Sequence, residues 1–253
     1  MPLLALLFDV DGTLADTERD GHRIAFNTAF REFGLEWEWD VSLYGKLLAI
    51  SGGKERIKHY IDVYNPDFNR PSNLERLIVD LHQAKTRHYT ALLAEGRLPM
   101  RPGVVRLLAE ARAAGLRLGI ATTTTLDNVT ALLEFSLAPN AESWFDVIAA
   151  GDIVSAKKPA PDIYVWAQQK MKVSPKSCLA LEDSANGLRA STGAGLKTLV
   201  TINDYTADQD FEGAAAVLTD LGEPNAPAKG LSGLWEGDTG YVSVESLRRL
   251  HSA

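Results

Sequence analysis

Residues 3–8 form an apolar run that does not alternate with polar positions and stops at Asp9-Val10-Asp11-Gly12. Runs of this kind suit strands of a parallel sheet, because such strands are covered on both faces. Comparable runs recur at residues 116–122, 145–150, 178–181, 197–202 and 214–218. Between most of them the apolar positions shift to helical spacing, at residues 104–114, 126–135, 162–171 and 185–194. Strand alternating with helix predicts the α/β class, with a doubly wound, mostly parallel, Rossmann-like sheet. Ligands of such sheets sit in a crevice outside the carboxyl ends of the strands. Asp9, Asp11, Thr122 and Asp183 all fall at those ends.

From residue 16 to about 97 the alternation stops. Helical spacing covers residues 23–33, 56–64 and 74–93, punctuated by Asn65-Pro66, Arg70-Pro71 and Gly96. A helical block inserted after the first strand predicts two units: a core domain of residues 1–15 and 98–253, and an α-helical cap domain of residues 16–97. Their hinges fall near residues 14–17 and 98–102. Residues 222–240, rich in Pro and Gly, read as a loop. A short terminal helix follows, with Ser243 as its N-cap and Glu245 in its first turn.

The composition narrows the class of protein. With 45% hydrophobic and 23% charged residues over 253 positions, the chain is globular in character and not disordered. A net charge of −7 removes the usual electrostatic reason to expect a nucleic-acid partner. The single Cys178 excludes an internal disulfide framework. No stretch approaches the roughly 20 apolar residues of a membrane-spanning helix. The expectation is a monomer with no membrane partner, placed in the cytoplasm, or in the plastid stroma if a transit peptide has been removed.

Asp9 and Asp11, two residues apart at a strand end, are poor packing residues, since ionised side chains are rarely set against a core without partners. One carboxylate can attack an electrophile, the other can hold and release a proton, and together they attract a hard cation such as Mg²⁺. Glu182-Asp183 repeats the pattern after a second apolar run. For one acidic pair, simple capping of the next helix would be the better reading; two pairs on one sheet rim favour a metal site. Thr122 to Thr125 offer hydroxyl and N–H groups ahead of a helix, which suits an anion as well as capping. Lys158 precedes Pro159-Ala160-Pro161-Asp162, an extended loop able to aim an ammonium at a phosphate.

In chain order these elements resemble the four motifs of the haloacid dehalogenase superfamily: Asp9-Val10-Asp11-Gly12-Thr13-Leu14, Thr122, Lys158 within Lys-Pro-Ala-Pro-Asp, and Glu182-Asp183-Ser184. The helical insert resembles the α-helical cap of the β-phosphoglucomutase-like subgroup. Asp-Thr-Glu-Arg-Asp-Gly-His at residues 16–22 and Ser-Gly-Gly-Lys-Glu-Arg at residues 51–56 are most similar to the CbbY-type branch, the xylulose-1,5-bisphosphate phosphatases that remove an inhibitor of Rubisco.

The resemblance implies a phosphatase acting on a small sugar bisphosphate through an aspartyl-phosphate. Asp9 would be the nucleophile and Asp11 the general acid and base. Mg²⁺ would be held by Asp9, the backbone carbonyl of Asp11 and Asp183, with Glu182 as a further ligand or support. Thr122, Thr123 and Lys158 would bind the transferring phosphoryl group. In the cap, Glu18, His22, the loop Ser51-Gly52-Gly53-Lys54-Glu55 and Lys85 would select the substrate, the two lysines suiting a second phosphate. His22 stands one position later than the corresponding histidine of β-phosphoglucomutase-like sequences, and Lys85 could equally lie on a solvated helix face. A phosphomutase or a broad small-molecule phosphatase such as phosphoglycolate phosphatase shares these motifs. A dehalogenase or phosphonate hydrolase is disfavoured by Asp11, and a binding protein by the full acidic set.

Overall fold

The computed structural model describes residues 1–233, 235 and 240–253. Seven strands form one sheet: β1 (Ala5–Phe8), β2 (Arg117–Thr122), β3 (Val147–Ala150), β4 (Cys178–Glu182), β5 (Lys197–Thr201), β6 (Ala216–Leu218) and β7 (Gly230–Gly233). Their order is β3-β2-β1-β4-β5-β6-β7. The first six run parallel to their neighbours, and β7 is antiparallel to β6. The chain therefore winds outward from β1 to one side through β2 and β3, and to the other through β4 to β6. The crevice of such a sheet opens where the winding reverses, between β1 and its neighbour β4. The doubly wound α/β class predicted from the apolar runs is the class observed.

The lack of alternation in β1 has a direct cause. Leu6 and Phe8 belong to one core cluster and Ala5 and Leu7 to another, so both faces of the strand are covered. Helix α5 (Val104–Ala113) and α9 (Val244–Ser252) contribute to the first cluster, and α7 (Asp162–Met171) to the second. Helix α6 (Leu126–Leu132) connects β2 to β3, and α8 (Ala185–Gly193) connects β4 to β5. Ser243 caps α9 as expected, accepting from the Ser246 N–H in a reciprocal capping box.

Between β1 and α5 lie α1 (Arg23–Glu32), α2 (Val41–Leu47), α3 (Gly53–His59) and α4 (Leu74–Ala94). Phe26, Phe30, Trp37, Trp39, Tyr60 and Leu81 belong to a separate buried cluster drawn from residues 26–81. Ala25, Tyr89, Leu93 and Leu98 instead join the main core, so the ends of α1 and α4 rest on the sheet unit. The two linkers run side by side: Ala15 pairs with Met100, and the Arg101 N–H donates to the Leu14 carbonyl at 2.9 Å. No helix among the described residues is long and apolar enough to cross a membrane.

Helix α2 falls within the expected helical block without a periodic signal of its own, and one element, β7, differs from the sequence expectation. A glycine stands at the centre of α2; Asp40 starts it by accepting from the Leu43 N–H at 2.7 Å. Residues 222–240 are not all loop, because β7 forms within them. All four of its residues are exposed, so its pairing is a backbone matter that leaves no hydrophobic pattern. Residues 234 and 236–239 of that stretch lie outside the described residues.

Candidate active site

Parallel pairing in register, Phe8 opposite Leu181, delivers Asp9 and the Glu182-Asp183 pair to the same rim. The chain must then turn sharply, and Gly12 permits it. Its φ is +91°, and a Cβ there would collide with the Asp183 carboxylate. Carboxylate oxygens of Asp9, Glu182 and Asp183 all lie within 4.8 Å of one another.

Lys158 is buried among them. Its Nζ donates to Asp9 Oδ1 and to Glu182 Oε1, each at 2.6 Å. Glu182, fully buried, also accepts from the Tyr164 hydroxyl at 2.6 Å through Oε1 and from the Asp183 N–H at 3.2 Å through Oε2. Gly187 packs flat on this carboxylate, where any side chain would collide. Both oxygens of Glu182 are thus committed, and the side chain positions Lys158. Asp183 Oδ2 accepts from Asn203 Nδ2 at 2.7 Å. Asp9 Oδ2 and Asp183 Oδ1 accept no hydrogen bond among the described residues.

These placements set the charge states. Burial raises Asp9 to about 8, with Glu182 and Asp11 adding to the rise and Lys158 opposing it. Burial raises Asp183 well above its ordinary value, reinforced by Asp9 and Glu182. Lys158 is raised because the two carboxylates outweigh its own burial, so it stays charged. Two buried carboxylates with free oxygens and elevated proton affinity fit a hard divalent cation, and the all-oxygen donor set suits Mg²⁺.

Asp11 points away from this cluster, toward the helical block. Its Oδ1 accepts from the Thr17 hydroxyl and from His22 Nε2, the latter at 2.8 Å. Burial alone would raise Asp11, but the His22 ring and the Thr17 hydroxyl outweigh it and hold the carboxylate at about 2. His22 itself is buried, its ring 4.0 Å from that of Tyr89.

The residues of the helical block singled out in the sequence separate into groups. Glu18 accepts from the Tyr44 hydroxyl at 2.5 Å and lies 3.9 Å from the Arg56 guanidinium. Lys85 is not on a solvated face. It is 3% exposed, with its ammonium over the rings of Tyr89 and Phe26, and burial lowers it to about 8 despite Asp11 and Glu18. Lys54 is ion-paired with Asp152 of the core. Ser51 Oγ lies 3.5 Å from Asn186 Nδ2, also of the core. Gly52 has φ +94° and Gly53 packs against His82. Glu55 is exposed and lines no described cavity.

A cavity of about 370 Å³ joins these parts, lined by Asp9, Asp11, Thr122, Thr123, Lys158 and Asp183 from the core and by Glu18, Ser51 and Arg56 from the helical block. Thr122 is buried, and its hydroxyl accepts from the Thr124 N–H at 3.2 Å. Thr125 stands at the N-cap of α6 but its side chain makes no capping bond. A smaller cavity of about 30 Å³ adjoins Asp11, His22, Lys85 and Gly53.

Sequence reasoning missed Tyr164, Asn203, Asn186 and Arg101. Arg101 donates to the Gly12 and Ile202 carbonyls, to Thr201 O at 3.2 Å and to Thr219 O at 3.0 Å, which ties the second linker to the turn after β1. Asn203 follows the fifth apolar run, so the strand-end rule applied to that run would have found it. Nothing in the local sequence marks the others.

Residues 3–195 match the family described as haloacid dehalogenase-like hydrolases, and the chain belongs to that family. Within it, the chain is 48% identical over 223 residues to the plasmid-borne CbbY protein of Cupriavidus necator, covering 88% of this chain and 87% of that one. Crystallised CbbY from Rhodobacter sphaeroides in complex with phosphate superposes with a TM-score of 0.81, at 48% identity over 86% of this chain and 94% of the other. A point mutant of the same protein in complex with xylulose-1,5-bisphosphate gives a TM-score of 0.82, at 47% identity over 88% and 96%.

Proposed function

We propose that the chain is a Mg²⁺-dependent sugar bisphosphate phosphatase working through an aspartyl-phosphate, with xylulose-1,5-bisphosphate as its substrate. Phosphatase chemistry follows from the family. The observation that carries the finer reading is the division of labour between two carboxylates two residues apart. Asp9 has a free Oδ2 beside buried Lys158, whereas Asp11 is held separately by Thr17 and His22.

Asp9 attacks the phosphorus of one ester, forming an acyl phosphate as the ester P–O bond breaks. Held by His22 and Thr17, Asp11 is ionised; to act as general acid it leaves these partners, takes up a proton from solvent and gives it to the departing alkoxide. It then takes a proton from the water that cleaves the aspartyl-phosphate, returning Asp9 and releasing orthophosphate. Lys158, the Thr122 hydroxyl and the Thr123 N–H hold the transferring oxygens. Mg²⁺, held by Asp9, Asp183 and the Asp11 carbonyl, would neutralise charge between nucleophile and phosphate and favour ionised Asp9. Residues 16–97 act as the cap and residues 1–15 with 98–253 as the core; closing the seam between them excludes water. The xylulose-1,5-bisphosphate assignment is supported by the 47% identical Rhodobacter protein crystallised with that sugar.

The test is phosphate release with Mg²⁺ from xylulose-1,5-bisphosphate, ribulose-1,5-bisphosphate, fructose-1,6-bisphosphate, β-glucose-1-phosphate and phosphoglycolate. The expected result is a kcat/KM for the first at least tenfold above the rest. Equal rates throughout would remove the named substrate, and an isomeric sugar phosphate without phosphate release would replace hydrolysis by a mutase.

A further inference from the structure

A sugar bisphosphate presents two anionic groups, and the site described above accounts for one. The other end of the 370 Å³ cavity must therefore accept a second phosphate, an inference that rests on the sugar bisphosphate reading. The cap lysines are the obvious candidates from sequence, yet neither lines that cavity. Lys54 is ion-paired with Asp152, and Lys85 lines an adjoining 30 Å³ recess that shares Asp11, Glu18 and Arg56 with the larger cavity, its ammonium buried over the rings of Phe26 and Tyr89.

The cations that line the larger cavity are Lys158, Arg56 and Arg189. Lys158 is committed to the reacting phosphoryl group. Arg56 is buried and its guanidinium donates to Leu47 O, Ile50 O and the Tyr44 hydroxyl, at 3.1–3.3 Å. Arg189 differs from both. It is exposed, it is the one charged residue of α8, and no carboxylate among the described residues lies within ion-pair distance of it. Its described side-chain hydrogen bond is from Nη2 to Asn186 Oδ1, at 2.5 Å. Asn186 in turn donates through Nδ2 to Ala49 O at 3.1 Å, across the seam to the cap loop. Residues 185, 186 and 189 share a helix face, and all three line the cavity. A guanidinium has five N–H donors, so a fork remains free after the bond to Asn186. Such a fork matches phosphate oxygens in a way an ammonium does not.

We propose that Arg189, oriented by Asn186, anchors the distal phosphate of a sugar bisphosphate from the core side of the cavity. The contact is made equally in ground and transition states, so it lowers KM more than it raises kcat. It also couples substrate to cap position, because the amide that orients Arg189 touches the cap loop.

The test compares kcat/KM for xylulose-1,5-bisphosphate with kcat/KM for each of its two monophosphates, in wild type, Arg189→Ala and Arg189→Lys. The readout is the ratio of bisphosphate to the better monophosphate, which cancels any general loss of folded enzyme. A charge-assisted contact predicts that Arg189→Ala lowers this ratio about tenfold or more, mainly through KM. Arg189→Lys should recover part of it, and the wild-type preference should shrink as salt is raised. An unchanged ratio in Arg189→Ala, with wild type still preferring the bisphosphate, overturns the anchor and leaves the substrate reading standing. No preference in wild type overturns the substrate reading and the anchor with it.

Discussion

Lys158 is the residue on which the charges of the site balance. It shares one buried position with three carboxylates and touches two of them at 2.6 Å. Replacing its partner Asp9 by Asn preserves an acceptor for the ammonium but removes the carboxylate proposed as nucleophile. Asp9→Asn is expected to cut turnover on the order of 10⁴-fold or more while leaving the protein folded, read by phosphate release and a thermal melt on the same sample. Lys85 poses the opposite problem, a buried cation whose proton is held less tightly than in water. Its pKa falls from 10.5 to about 8, mainly through burial. The unfolded chain therefore binds more protons between about pH 8 and 10.5, and stability from this group rises over that window. Lys85→Met is expected to stabilise the protein at pH 7 by about 1–3 kcal/mol and to flatten that rise, as measured by denaturant unfolding at pH 7 and 9.5. The charge is kept because it offsets Asp11 and Glu18, so the same variant should raise KM for an anionic sugar. A Lys85→Met protein less stable at pH 7 than wild type would show that its packing over Phe26 and Tyr89 matters more than its desolvation.

At the scale of elements, the site depends on a turn and a seam. Gly12 makes the turn after β1 at a φ of +91°, with the Asp183 carboxylate where a Cβ would lie. Gly12→Ala is expected to destabilise by about 1–3 kcal/mol and to lower kcat steeply, because it moves Asp9 and Asp183 apart. The seam is held by Lys54 on Asp152, Asn186 on Ala49 O and Arg19 on Asp204. Exposed ion pairs contribute less than about 1 kcal/mol, so Asp152→Ala should leave the melting temperature nearly unchanged and raise KM a few-fold. An unaltered KM would remove the seam from substrate binding. These cases also mark what was legible beforehand. The covered strands β1 and β4 announce themselves as unbroken apolar runs, and the acids that follow them need only the parallel rule to meet. Helix α2, held by an Asp40 cap around a central glycine, and β7, paired by backbone alone, carry no such periodic signal. Asn186, Arg101 and Tyr164 reach the candidate site only through contacts made 18 to 137 residues away, and no local pattern encodes those.

Across the whole molecule, fold and site oppose one another, and pH should expose the conflict. Folding brings Asp9, Glu182 and Asp183 to one buried point where Lys158 is the cation that touches them among the described residues, and without a metal ion Asp9 holds its proton up to about pH 8. Its ordinary value is 3.8. Between those two values the native state binds more protons than the unfolded chain, so stability falls as pH rises through that window. Below pH 4 the contribution of Asp9 is fully present; by pH 8 it is lost, a change of about 6 kcal/mol at most. A divalent cation at Asp9 and Asp183 substitutes for the proton. Mg²⁺ should therefore raise the melting temperature more at pH 8 than at pH 5, and its binding should release protons most strongly between pH 5 and 8. Calorimetry in two buffers of different ionisation enthalpy measures that release directly. The Asp183→Asn variant should bind Mg²⁺ at least tenfold more weakly and melt higher than wild type in the presence of chelator, since it removes one of three repelling carboxylates. Mg²⁺ stabilisation that is equal at pH 5 and pH 8, with no proton released, would mean that the cation does not take the place prepared by these acids.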